Sequence, residues 1–333
     1  MKKDFYKKHF NNGILVGCMP VSLTLMAFVH KDFPQNEDDS KEANELPIRV
    51  LYYVPEKMEK GSYGTTTWSH NIENLYVTDD GTSWIVITPS FNVDEIDNKT
   101  DWYPVPNNEK GHLAKGVINI DGSIYAYGMV RSVFKRTSIK QWENITTKAM
   151  HPNLYTDTEA SKEKFVGSWV GFSALDGFNQ NDIYAGGNKG DGWHYNGKKW
   201  TKLDLPLNTD ISTITCASNN LVYIGCRIGS VLVGRADSWE VIDTSKQITH
   251  STWFKGKIYF VDKLGRIYTH KEGNIELTEA VFKTQFPDYM RHLIKGISSC
   301  DECLVAYTDI QAYAYDGEIW HEIIEIPSLS KNK

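Results

Sequence analysis

Two sets of residues in this sequence are of types that can do chemistry. Cys300-Asp301-Glu302-Cys303 has the spacing of a redox dithiol or of half a zinc site. A complete metal site needs two more ligands. Cys216 and Cys226 are separated by nine residues with no histidine between them. No helix start is expected at Cys300 to acidify a thiol, so a structural pair is the simpler reading and no metal is assigned. The second set is His112, His250 and His292, each at or just before the start of a predicted strand. Two or three of them meeting in one channel would form a metal or acid–base site, yet no carboxylates recur at matching places. The motifs HExxH and GxSxG, phosphate loops and nucleotide fingerprints are absent. The glycine run at Gly186–Gly190 reads as a turn.

Any such site must be held by the elements around it, and these repeat. Trp193-His194-Tyr195-Asn196-Gly197-Lys198-Lys199-Trp200 and Tyr313-Ala314-Tyr315-Asp316-Gly317-Glu318-Ile319-Trp320 share one design, and Tyr76 to Trp84 follows it through Asp80-Gly81. An aromatic-rich strand meets Asx-Gly, the pair that accepts positive φ in a tight hairpin, and a Trp opens the return strand three residues after the Gly. Between these anchors lie units of four short strands separated by turns, the pattern of a propeller blade. The expected fold is an all-β single propeller over 1–333 with six four-stranded blades near 14–87, 112–145, 164–203, 211–242, 248–278 and 293–325. Seven blades is the alternative, with residues 1–60 holding the extra one.

The segment Val77–Trp84 resembles the Asp-box of sialidase-type and related bacterial propellers. Asp79, Gly81, Ser83 and Trp84 match, with Ser in place of Thr, while Val77 departs at the first position. Gly197 with Trp200, and Gly317 with Trp320, keep the glycine and the aromatic. That resemblance implies a structural turn and carries over no catalytic residue. The chain as a whole resembles divergent bacterial BNR/WD-type propeller repeats. Among propellers of that kind are assembly factors, toxin-neutralising immunity proteins, hydrolases and lyases.

In a propeller, connections between blades share a face with the second-to-third strand turns, so long inter-blade loops mark a recognition surface. Thr88–Gly111, Thr146–Glu163 and Thr278–His292 are the expected long loops. They contain Phe91, Trp102, Tyr103, His151, Tyr155, Phe282, Phe286 and Tyr289, types common at the centres of protein interfaces. Asp94, Glu95, Asp97 and Asp101 in the first loop would draw a partner with a basic surface. With 36 basic and 42 acidic side chains the net charge is −6, which gives no general attraction to nucleic acid. The apolar run at 13–29 follows a basic segment and has two readings. As a buried strand pair it leaves the protein cytoplasmic; as a targeting segment it marks an exported protein or lipoprotein. No membrane partner is expected. The resulting expectation is a non-catalytic protein-binding scaffold, of which a bacterial immunity-type or regulatory protein is one concrete version, with no cofactor. The alternative is a hydrolase or lyase acting on a carbohydrate or small metabolite at the channel, assisted by a divalent metal.

Overall fold

The computed structural model describes residues 13–22, 25–32, 48–53, 65–68, 74–77, 84–88, 91–96, 103–104, 113–147, 150, 170–243, 245–274, 276–282 and 293–325. Two of its hairpins show why this sequence makes blades. Asn196 Oδ1 accepts the amides of Lys198 and Lys199 at 3.1 and 3.0 Å. Asp316 Oδ1 does the same for Glu318 and Ile319 at 2.7 and 2.9 Å. The glycines that follow, Gly197 and Gly317, have φ of +83° and +103°, where a Cβ would be strained. Tyr195 and Tyr315 each donate their phenol to the carbonyl of that glycine, at 3.0 and 2.8 Å. Trp200 and Trp320 then tilt against these same tyrosines, both with ring centroids 5.1 Å away. It is one device used twice.

The described strands form seven four-stranded antiparallel sheets, each a meander of four consecutive strands. The expectation of six blades is therefore corrected. Five sheets occupy 114–144, 172–202, 211–243, 248–279 and 296–325, and two more occupy 13–68 and 74–104. The unit expected over 14–87 had merged two sheets. Gly13–Ser22 and Leu25–Asp32 are a hairpin, so the apolar run at 13–29 is spread over a pair of strands. Register shifts at Leu15/Gly17 and Pro20/Ser22 break the alternation that would have revealed the first of these strands. The supposed loop Thr88–Gly111 also contains strands Asn92–Ile96 and Tyr103–Pro104, which complete the second sheet. Consecutive acidic residues at Asp94 and Glu95 hid the first of them, since charge is depleted in strands.

The first strand of each sheet is innermost. These inner strands touch their neighbours all the way round, and Gly13–Ser22 lies against both Asn74–Val77 and Gly296–Ser299. The core is a set of layers between adjacent sheets. Phe172, Leu175 and Ile183 pack on Ile120, Tyr125 and Val133 of the preceding blade. Leu15, Met26 and Phe28 of the first blade pack on Cys303, Val305 and Ile324 of the last. Each buried side chain of this size contributes about 1.5–3 kcal/mol by leaving water.

Trp200 joins hairpin to neighbour. Its ring is buried and stacks on Phe172 at 5.8 Å, while its indole N–H reaches the carbonyl of Ile145 in the preceding blade at 3.1 Å. Trp200→Ala should cost about 3–5 kcal/mol in denaturant unfolding. Trp200→Phe, which keeps a ring and loses the bond, should cost distinctly less. Equal losses from the two variants would show that the ring is not what holds these blades together.

Candidate functional site

Two surfaces of the ring have the geometry of a site: a channel mouth and the opposite face. The channel is a space of about 1130 Å³, lined by inner strands and by turns that follow them. Hydroxyls tie one inner strand to the next. Ser251 Oγ lies 2.8 and 2.7 Å from Oγ1 of Thr213 and Thr215 in the neighbouring blade. Thr252 Oγ1 meets Ser299 Oγ at 2.6 Å, and Ser298 donates to the carbonyl of Cys18 across the closing seam at 3.1 Å. Such hydroxyls leave few spare donors for a substrate.

Burial shifts several titratable groups of this channel. Asp176 is raised to about 6 by burial, against the hydrogen bonds it accepts from the amides of Cys216 and Gly177, both 2.8 Å. Burial likewise pushes the Cys18 and Cys216 thiols well up. Cys300 goes the other way. The thiol of Cys303, 3.6 Å from its sulfur, is the largest influence and brings Cys300 down to about 7, with burial opposing. Cys303 itself is pushed up by that same bond and by burial. The described residues hold no group of three or more His, Cys, Asp or Glu side chains placed to bind a metal ion.

Of the three expected channel histidines, His250 alone lies among the described residues. His250 lies on the inner strand Ile248–Phe254, its Nδ1 3.2 Å from Thr249 Oγ1, and burial lowers its pKa. His112 and His292 lie outside the described residues.

The opposite face carries the inter-blade connections and the second-to-third strand turns. Its turn tips are Asn188-Lys189-Gly190, Arg227-Ile228-Gly229, Lys263-Leu264-Gly265 and Asp309-Ile310, from blades four to seven. Gly229 and Gly265 have φ of +80° and +74°. A glycine there turns the chain back sharply, and the two residues before it are left pointing outward. The backbone beneath is pinned. Asp262 accepts the amides of Leu264 and Arg266, both at 2.9 Å, and the Arg266 guanidinium at 2.9 and 2.6 Å. Lys263 N donates to Gln247 O at 2.8 Å, and Arg227 N to Asp210 O at 2.9 Å. The side chains of Ile228 and Leu264 are accordingly 69% and 61% exposed. Leu293, at the entry to the last blade, is 53% exposed, and Val281, after the sixth, 85%. Lys189, Arg227, Lys263 and Lys295 are exposed on the same face.

Several expected contact residues lie elsewhere. Phe91 is fully buried, edge-on to Phe134 at 5.4 Å, and belongs to the layer between the second and third blades. Phe282 packs over the rim against Tyr259, Tyr315 and Trp320 at 5.8, 5.1 and 4.9 Å. Tyr103 sits in a two-residue outer strand. Trp102, His151, Tyr155, Phe286 and Tyr289 lie outside the described residues, as do Asp79, Gly81 and Ser83, while Trp84 opens the strand Trp84–Ile87. Sequence reasoning missed the turn tips. Their signal was a basic residue, an aliphatic one and Gly, repeated at 227–229 and 263–265.

Comparison with known proteins bears on both surfaces. No family model matches the chain. The protein named Immune protein Tsi7, from Pseudomonas aeruginosa, is 34% identical over 212 residues, which are 63% of this chain and 63% of that protein. The sequence likeness is to an immunity protein. The chain spans less than two thirds of that relative's length. Among solved structures, U3-55K superposes with a TM-score of 0.59 at 10% identity over 89% of each chain. The WD40 propeller domain of Doa1 gives 0.58 at 8% identity, over 96% of this chain and 95% of that one. PorZ of Porphyromonas gingivalis gives 0.59 at 10% identity, over 96% of this chain and 39% of that one. These structures share the propeller fold, and at such identities they speak to the fold alone.

Two measurements probe the channel. Alkylation of Cys300 should rise through pH 7, and Cys303→Ala should move that midpoint up towards the ordinary thiol range; an unmoved midpoint would remove the thiol–thiol hydrogen bond as its cause. The folded pKa of Asp176 lies above its ordinary 3.8, so its stabilising contribution is complete below about pH 4 and is lost as pH rises through about 6. Asp176→Asn should therefore gain stability relative to the parent between pH 4 and 7 in urea unfolding. A pH-independent difference between the two proteins would contradict the shift.

Proposed function

We propose that this chain is a protein-binding propeller of the immunity type, which neutralises a toxic protein by binding it on the inter-blade face. The carrying observation is the 34% identity to a protein named as an immune protein. The face described above supports it, with exposed aliphatic and basic side chains at pinned turn tips. A rigid scaffold presenting a few exposed anchors limits the ordering cost of association. The same proposal places the protein in the bacterial cytoplasm, where the free thiols of Cys18, Cys216, Cys226, Cys300 and Cys303 suit a reducing environment.

A partner with a basic surface was expected from acidic residues in a loop. Asp94 and Glu95 belong to the strand Asn92–Ile96, paired with Val86 and Ile85, rather than to a loop. Asp97 and Asp101 lie outside the described residues.

The test is genetic and biochemical. A deletion strain mixed with its parent should lose fitness, and expression of this chain should restore it. A protein that is toxic when expressed alone should co-purify with the chain in a stoichiometric complex. The proposal fails if the deletion strain competes equally with its parent, or if the purified chain instead turns over a carbohydrate with a divalent metal.

A further inference from the structure

Between the sixth and seventh blades the inter-blade face is indented by a groove of about 500 Å³. Leu264, Leu293, Ile294 and Ile310 supply aliphatic walls, and Lys263 and Lys295 stand at its edges. Leu264 and Leu293 are more than half exposed, both on the groove's lining. Lys295 remains 58% exposed although its ammonium lies 3.6 Å from Asp309. The next blade back repeats the pairing of cation and aliphatic at Arg227-Ile228, and Lys189 continues the basic arc. This arc runs against the net charge of −6. By contrast, Arg131 on the same face is turned inward, its guanidinium held by Asp191 at 2.7 and 2.9 Å.

We infer that this groove receives an apolar side chain of the bound protein flanked by carboxylates. Leu264, Leu293 and Ile310 enclose the apolar group, and Lys263 and Lys295 pair with acids on either side. The inference rests on the protein-binding reading above and gives its partner a chemistry. Lys263 and Lys295 outnumber Asp309, the acid that also lines the groove beside Lys295, so charge complementarity favours an acidic segment over a basic one. A nucleic acid would satisfy the lysines and leave the aliphatic walls facing water.

The experiment titrates the full chain with a fluorescent short peptide carrying a central Phe between aspartates. A matching peptide with lysines in place of the aspartates and a single-stranded oligonucleotide serve as competing probes. The acidic peptide should bind saturably and weaken as salt rises, because the paired charges are exposed. Leu264→Asp and the double variant Lys263→Glu, Lys295→Glu should each weaken it by roughly tenfold or more, the loss of one desolvated contact or of two charge pairs. Ile139→Asp, on the opposite face, should leave binding unchanged, and circular dichroism of each variant confirms the fold. Equal binding of the basic peptide, tighter binding of the oligonucleotide, absence of acidic-peptide binding, or indifference to the groove variants would each overturn the inference. A chain that protects cells but ignores the acidic peptide refutes the groove alone. A chain that binds the peptide through these residues yet gives no protection refutes the immunity reading alone.

Discussion

Among the described residues seven sheets, each built from four consecutive strands, form the ring and exchange no strand between first and last, so side chains and a few backbone groups close it. The joint is made by Leu15 N on the carbonyl of Asp309 at 2.7 Å, Ser298 Oγ on Cys18 O, and the apolar layer of Met26, Phe28, Val305 and Ile324. The same kinds of contact recur at other joints. Leu175 and Ile183 pack on Tyr125, and Ser251 bridges Thr213 and Thr215. Because inter-sheet packing carries the closure, a loss at one joint weakens the whole circle.

That closure dictates where function can lie. The channel wall is occupied by hydroxyls engaged with the next strand and by groups whose charged forms burial disfavours, such as Asp176 and Cys216. On the inter-blade face the carbonyl of Asp309 takes part in closure, but the side chains of Ile228 and Leu264 do not. The turns of that face are fixed from below by Asp262 and by backbone bonds from Arg227 and Lys263, which leaves Ile228 and Leu264 rigidly presented to water. Positioning is completed by the scaffold, which lowers the ordering cost of any association at these turns.

Much of this was legible in the sequence because hairpin chemistry is local. Asn196-Gly197 and Asp316-Gly317, each followed by Trp, state their turn, their return strand and the ring that covers it within eight residues. The first two blades were less legible. Their strands are bulged in one case and carry adjacent acids in the other, so the two-residue period that announces a strand is lost. Site residues were read from type and loop length. That reading misplaced Phe91, which φ of +57° and complete burial make a core wedge, and it passed over Leu264 and Ile228. Exposure of an aliphatic residue is a property of the assembled turn, and only the repetition of cation, aliphatic and glycine hinted at it.

The glycines at 229 and 265 have one more consequence. They commit the preceding two positions to the outside and assign them no duty in the layers below. Those positions can therefore change their side chains from one descendant to another with little penalty to the architecture. A lineage pressed by a changing opponent could rewrite its specificity there, blade by blade, while inheriting the ring intact.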